Sequence, residues 1–577
     1  MSNNYWDKVL DKRVTRRRGL AIAGGGAAAA AFLAACGGGD DDSGDSGTTN
    51  GGTTGSTTDP GTPTVGGKLV WQGYGDPGGG LELIKSRNAG VLQMASLTHD
   101  GLLDFAYGQP KYPGIGNEVL PSLAQGLPEI SPDKLTVTFK LKPAKFHNGR
   151  DLTSEDVKWT YDTLAFATES AWKNDFNWIN SFEAPDKSTV VMKLKSPNAD
   201  TLESLALKEA AGVAILAREH HESGAAEKSL LGSGPYTFVE YNPPLIMSYK
   251  RNPNYMTDPG KPYFDAIDRL GTSDSEKKVA DIIAKQVHVT YWFPAEERER
   301  IKGQRKDINL WQYPRAGAGN FYIRNDIAPF NDKRVRQALS MGYDRQLAIN
   351  SVAAGEGQAD QALSRSGTAW EFRGPEQLPR KDLYVMNVAE AKKLLAAANV
   401  TLPMKLDIPT WNSTVIGQKF VDEIVNYTTQ WRNNGIVDAK LLEETFGQFS
   451  PRFVGTYDTL QWGPNVTATV PSLGKAIYDK YYSPAEGVKV PTLNINYLNN
   501  PTVNDLVTKQ LKEFDRKARI ALFRQLEETL SEDMVHISGV TGTLTYITDP
   551  SVKNAQMPRD AYNGAVPWMK HWYFGKA

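Results

Sequence analysis

Residues 135–164 show both structural periods in succession. Leu135, Val137, Phe139 and Leu141 alternate with Thr136, Thr138, Lys140 and Lys142, the two-residue period of a strand with one buried face. Pro143 lacks a donor and ends the ladder, and Asn148-Gly149 supplies a turn that tolerates positive φ. A helix is predicted from Thr153, with Asp156 three residues on as the second half of a capping box. Val157, Tyr161 and Leu164 share its inner face.

The same reasoning assigns the rest of the chain. Short strands are predicted at 68–71, 189–194, 247–250, 267–270, 287–290 and 544–547, and Leu406 and Ile408 alternate in another. Helices are predicted at 92–97 and 202–207. Asp274 caps one through Val279 and Ile283, Asp332 caps one carrying Val335, Ala338 and Leu339, and Asn387 begins one carrying Leu394 and Leu395. Ile416, Phe420, Ile424, Tyr427 and Trp431 mark one face of a long helix that Gly435 stops. A long amphipathic region covers 503–530. Strand, helix and strand alternating in this way indicate α/β architecture.

A chain of 577 residues exceeds what one core usually organises, so more than one lobe is expected. Formal net charge is −1, and from Pro60 onward the chain is neutral, which removes the electrostatic case for nucleic-acid binding. Cys36 is the single cysteine, so no intrachain disulfide forms and stability must come from the core.

Residues 1–36 read as an export signal. Six basic side chains (Lys8, Lys12, Arg13, Arg16, Arg17, Arg18) precede an Ala/Gly-rich apolar stretch at 21–35 that is too short to span a bilayer. Thr15-Arg16-Arg17 resembles a twin-arginine motif, with Gly19 where that motif prefers Phe. Leu33-Ala34-Ala35-Cys36 resembles a lipobox, which implies acylation of Cys36 and a membrane anchor of several acyl chains. Residues 37–67 hold almost only Gly, Thr, Ser, Asp and Pro, a flexible tether whose mean reach is roughly 30 Å.

Gly73-Tyr74-Gly75-Asp76-Pro77-Gly78 matches G-x-G-x-x-G, but Pro77, Gly79 and Gly80 keep a helix from starting where a pyrophosphate would sit. The seven histidines form no H-E-x-x-H, and His220-His221 read as surface residues. Ser233 lacks the G-x-S-x-G frame because Leu231 takes the first Gly position. No cofactor is expected. Trp292, Trp411 and Trp462 fall in predicted loops after strands, where α/β lobes carry ligands; there they would stack on sugar rings or pack against peptide side chains. The alternative for each is a core tryptophan.

Several stretches resemble one family. Phe146-His147-Asn148-Gly149 with Leu152-Thr153-Ser154-Glu155-Asp156-Val157 is similar to the signature of the family 5 solute-binding proteins of ABC importers, the peptide- and nickel-binding group. Gly232-Ser233-Gly234-Pro235-Tyr236, Arg251-Asn252-Pro253-Asn254-Tyr255, Pro329 to Leu339 and Asn434-Gly435-Ile436 resemble further family motifs in the expected order. The resemblance implies a two-lobed periplasmic-binding-protein fold (class C-like) with an additional subdomain on the first lobe. It places lobe I at 68–105 and 230–320, the subdomain at 106–229, lobe II at 321–540 and a return to lobe I at 541–577.

It further implies a non-enzymatic, monomeric binding subunit that closes on an extended solute and docks on permease subunits with a separate ATPase. The solute would be an oligopeptide or an oligosaccharide; a secreted hydrolase or a sensor-linked binding protein are the other classes. Peptide-binding members often carry an Asp after the tryptophan corresponding to Trp462, and it meets the peptide ammonium. Here Asn465 occupies that region. It accepts a hydrogen bond but does not neutralise a cation. Trp292, Trp411, Trp462 and Asn465 are therefore the expected ligand contacts.

Overall fold

The computed structural model describes residues 62–73, 80–86, 88–106, 119–206, 214–242, 246–272, 274–291, 295–314, 319–364, 372–412, 418–445, 448, 452, 457–464, 473–483, 494–555 and 566–575. The export and tether segments, Cys36, Trp292 and Asn465 lie outside them.

Three β-structures organise the described residues. The first is a seven-stranded sheet in the order Asn309–Pro314, Thr543–Thr548, Val289–Tyr291, Lys68–Gly73, Ala266–Gly271, Ile246–Arg251, Tyr236–Asn242. Lys68–Gly73 runs parallel to both its neighbours, and the outer pairs are antiparallel. The second is a four-stranded antiparallel sheet of Glu129–Ile130, Thr136–Lys140, Thr189–Leu194 and Ile179–Asp186. The third has Gly319–Ile323 between Leu460–Pro464 and His536–Ser538, with the parallel pair Met404–Trp411 and Val437–Glu444 beside it.

The predicted alternation at 135–141 becomes the strand Thr136–Lys140, with Val137 and Phe139 buried. The helix that follows is Ser154–Phe166, and the Asp156 carboxylate accepts from the Thr153 backbone N–H at 2.9 Å. Asp274, Asp332 and Asn387 all cap helices with their side-chain oxygens. Phe420, Ile424, Tyr427 and Trp431 line the buried face of the helix Gln418–Asn433, and Gly435 leaves it at φ +65°. The amphipathic region 503–530 is divided between two helices, Pro501–Lys512 and Arg516–Asp533, which meet where Asp515 caps the second by accepting from Ala518 N–H.

One continuous apolar core serves the first two sheets together, reaching from Leu69 and Trp71 through Phe139 and Met192 to Trp572. The four-stranded sheet thus shares its interior with the seven-stranded one. A separate core fills one side of the third sheet, and a third lies among the helices between 473 and 533. The chain crosses from the first sheet to the third between Pro314 and Gly319. It returns between Ser538 and Thr543, where Val540–Thr541 pairs with Gln358–Ala359. The strand Gly319–Ile323 straddles the expected boundary at 320/321.

Two ion pairs tie these bodies together. Arg298, in the helix Ala295–Gln304, meets Glu356 with both terminal nitrogens, and the Glu356 backbone carbonyl accepts from the Thr543 hydroxyl. Asp200 meets Arg519 with both groups almost fully buried. Asp200 also accepts from Lys475 N–H at 3.0 Å, and Ala199 N–H donates to Leu511 O at 2.8 Å. Removing one partner of such a pair leaves an uncompensated buried charge. Asp200→Ala is therefore expected to lower stability by about 3–5 kcal/mol in urea denaturation, whereas a change under about 1 kcal/mol would mean the guanidinium finds water or another acceptor.

Candidate functional site

The third sheet sorts its side chains by the two-residue period of its strands. Phe321 lies opposite Trp462 and Ile537, and Ile323 lies opposite Leu460. These apolar residues face the core built on Phe420, Tyr427 and Trp431. Asn320 and Tyr322 point to the other face, beside Gln461, Gly463, His536 and Ser538. That polar face is also sealed from solvent: Asn320, Tyr322, Gln461, His536 and Ser538 are each at most 2% exposed.

Burial without partners is the unusual feature. Both amide atoms of Asn320, both ring nitrogens of His536, Gln461 Oε1 and Ser538 Oγ have no hydrogen-bond partner among the described residues. Folded proteins pair the great majority of such groups, and each orphan costs about 1–3 kcal/mol. Four residues with such atoms, Asn320, Gln461, His536 and Ser538, lie together on one sheet face. The row begins with Asn320 and Ser538, beside the two crossings between the sheets.

The helix Leu473–Tyr481 covers part of this face. The Tyr481 ring stacks on His536 at 6.2 Å with an 11° interplanar angle, and Tyr322 lies 5.8 Å from the same imidazole. Lys480 Nζ sits 5.5 Å from the Tyr322 ring and 5.3 Å from the Tyr481 ring. Burial pushes the Lys480 ammonium down to about 7, against the opposing pull of Asp360. Burial, reinforced by Lys480, holds His536 well below the ordinary histidine value. This buried face is therefore rich in neutral hydrogen-bonding groups, with a lysine held near neutrality beside it.

The predicted contacts fare differently. Trp462 is wholly buried on the apolar face, with Phe321 at 4.7 Å, Phe420 at 5.3 Å and Tyr427 at 5.6 Å. Gly319 makes room for it, since a β-carbon there would overlap the indole. Trp462 thus packs in the core in this conformation, because its register places it with Phe321, and Gln461 takes the polar side. Trp411 is 8% exposed at the carboxyl end of Met404–Trp411. Trp292 and Asn465 directly follow the described strand ends Tyr291 and Pro464 without being described themselves.

Asn320, Tyr322, Gln461, Lys480, His536 and Ser538 escaped the sequence reading. The signal was the alternation in Asn320-Phe321-Tyr322-Ile323 and His536-Ile537-Ser538, too short to stand out in one strand. The histidines flanked by charge are structural. His221 is not the surface residue expected: its Nδ1 meets Glu82 at 2.7 Å with both side chains buried. His288 Nδ1 accepts from Val70 N–H at 2.9 Å. Among the described residues no group of three or more His, Cys, Asp or Glu is placed to hold a metal, and no helix is long and apolar enough to cross a membrane.

Comparison with known proteins fits this arrangement. The family described as "Bacterial extracellular solute-binding proteins, family 5 Middle" matches residues 118–487. The oligopeptide-binding protein AppA of Bacillus subtilis (strain 168) is 27% identical over 289 residues, 48% of this chain and 51% of the relative. The dipeptide-binding protein of Escherichia coli (strain K12) is 26% identical over 376 residues, 60% of this chain and 67% of the relative. Relatives in Brucella species are 27% identical over 333 residues, and the chain spans 61% of their length. Among solved structures, DppA from Helicobacter pylori in complex with peptide STSA superposes with TM-score 0.72 at 19% identity, covering 89% of this chain and 99% of that one. AgaA in complex with agropinic acid, from A. tumefacien R10, gives 0.71 at 21% identity, covering 89% and 99%. These likenesses show the α/β periplasmic-binding-protein fold.

Two substitutions separate the faces. Trp462→Ala empties a packed core and is expected to cost about 3–5 kcal/mol in urea denaturation. Ser538→Ala removes an unpaired hydroxyl and is expected to change stability by under about 1 kcal/mol. A large loss in the second would reveal a structural bond for Ser538.

Proposed function

The chain belongs to the bacterial extracellular solute-binding proteins, family 5, and from that premise we propose that it is the substrate-binding subunit of an ABC importer for a peptide-class solute. The observation that carries this reading is the buried polar row Asn320, Gln461, His536 and Ser538, each with at least one side-chain atom that has no hydrogen-bond partner among the described residues, beside the crossings between two α/β bodies. Peptide backbones supply both donors and acceptors, which such a row requires. The names of the relatives, oligopeptide- and dipeptide-binding proteins, favour a peptide over an oligosaccharide.

Capture would proceed by hinge closure of the first-sheet body against the third-sheet body. Closure is driven only by contacts better made when closed. The Asp200–Arg519 and Arg298–Glu356 pairs fit that role, because each joins the first-sheet body to the third-sheet body. Trp411, Trp292, Trp462 and Asn465 remain proposed to shape the ligand's surroundings, Trp462 by buttressing the strand behind the polar face. The subunit acts without catalysis, as a monomer, and hands its solute to permease subunits powered by a separate ATPase. Export through residues 1–36, acylation of Cys36 and a tether at 37–67 would hold it outside the cell membrane.

Mass spectrometry of ligand released from the purified protein by denaturation is expected to recover short peptides. Recovery of sugars alone, or turnover of a candidate substrate on incubation, would overturn the reading. The loss of a carboxylate after Trp462 predicts that the peptides' free amino group contributes little. N-acetylation of a recovered peptide should therefore weaken binding by less than about tenfold, the equivalent of 1.4 kcal/mol.

A further inference from the structure

The helix Leu473–Tyr481 covers the polar face of the third sheet with its last turn, where the Tyr481 ring stacks on His536. Its first turn is held from the other body. The first N–H groups of a helix have no acceptor within it, and here Lys475 N–H donates to Asp200 Oδ2 at 3.0 Å. Asp200 directly precedes the helix Thr201–Ala206. Leu202, Leu205 and Ala206 of that helix lie in the core shared by the first two sheets, so this carboxylate belongs to the first-sheet body. The helix dipole also favours a negative charge at that end.

The other carboxylate oxygen of Asp200 meets Arg519 in the helix Arg516–Asp533. Arg519 Nη2 donates in turn to Gln510 Oε1 at 2.9 Å, and Gln510 Nε2 donates to Gly474 O at 2.8 Å. Three helices, Leu473–Tyr481, Pro501–Lys512 and Arg516–Asp533, thus converge on one carboxylate from across the interface. Asp200, Lys475, Gln510 and Arg519 are all buried there. Gly474 makes the approach possible, since a β-carbon at that position would overlap Arg519, Gln510 and Asp200 together. The segment that delivers Asp200 is itself fixed: Asn198 Oδ1 accepts from Asp200 N–H at 3.0 Å, and Ala199 N–H donates to Leu511 O at 2.8 Å. From Lys475 to Tyr481 the helix rises about 9 Å, so its two ends join the interface to the polar face directly.

We propose that Asp200 is a positioning residue for the polar face: by supplying its carboxylate to the amino end of the helix Leu473–Tyr481, the first-sheet body sets Lys480 and Tyr481 over Tyr322 and His536. Covering of that face is thereby tied to engagement of the two bodies, through a residue that does not touch the face. An apolar side chain at position 200 would fill volume but leave Lys475 N–H and the Arg519 guanidinium without this acceptor. The helix would then be held at its carboxyl end, where Tyr481 Oη donates to Ala362 O at 2.8 Å, and would open from its amino end. The functional weight of this placement rests on the polar face being the ligand seat; the placement itself does not.

Hydrogen–deuterium exchange of the full-length protein, without added solute, tests this in the wild type and in Asp200→Ala. Amide exchange reports local opening segment by segment. Residues 476–483 and the strand His536–Ser538 are expected to exchange about tenfold faster in the variant, as for loss of a helix cap. The helix Gln418–Asn433 and the strand Lys68–Gly73, remote from the contact, should keep the wild-type rate. Asp200→Asn keeps the shape and one acceptor but loses the charge; it should show a smaller rise in the same two segments, and it carries the test if the alanine variant fails to fold. Unchanged exchange at 476–483, or an equal rise in all four segments, would overturn the positioning role. Recovery of sugars alone from the purified protein would overturn the peptide reading and leave the placement of this helix standing.

Discussion

Strand Gly319–Ile323 takes backbone hydrogen bonds from both sides, from Leu460–Pro464 and from His536–Ser538. That pairing fixes which side chains of three distant segments share a face. Phe321, Trp462 and Ile537 go one way and pack on the helix Gln418–Asn433; Asn320, Gln461, His536 and Ser538 go the other way. Because side chains alternate strictly along a strand, a one-residue slip would exchange the faces completely. The apolar side makes the slip prohibitive: it would bury Gln461 and His536 among Phe420, Tyr427 and Trp431 and turn Trp462 out. The polar face is thus held in place by the packing behind it.

The same economy of form appears where the first two sheets meet. His147 N–H donates to Gly232 O at 2.9 Å, and the His147 ring nitrogen Nε2 lies 3.0 Å from Gly234 O. Gly232 and Gly234 lie so close to Thr98 and His99 that any β-carbon would collide. The family signature around residues 146–157 is therefore scaffolding: it straps the loop at 232–235 onto the helix Ala89–Thr98 and caps its own helix through Asp156. Arg150 reinforces the cap by meeting Asp156 at 2.7 Å and Glu219 at 2.9 Å. None of these contacts reaches the polar chamber. Resemblance in the signature consequently reports the fold of this region and says nothing about the ligand.

The cost of burial is concentrated on the polar face of the third sheet. Burying Lys480 and the unpaired atoms of His536 and Asn320 works against stability. The apolar cores on either side and the Asp200–Arg519 and Arg298–Glu356 pairs work in the opposite direction.

Local physics along the chain settled much of the architecture. The alternation at 135–141, the caps at Asp274, Asp332 and Asn387, the buried stripe from Phe420 to Trp431 and the stop at Gly435 depend on neighbours within a few residues, and each appears in the structure. What the sequence alone left open was which way short strands face. Trp462 stood out as a large aromatic near a strand end, yet register with Phe321 sends it to the core. Gln461, Asn320 and His536 are unremarkable one at a time. They come together only because strands 139 and 214 residues apart in the chain, counted from Tyr322 to Gln461 and to His536, pair side by side. Lys480 joins them because a helix folds across that face. Periodicity acts over a few residues and is legible in the chain; the choice of partner strand, and with it the chemistry of a shared face, belongs to the tertiary structure.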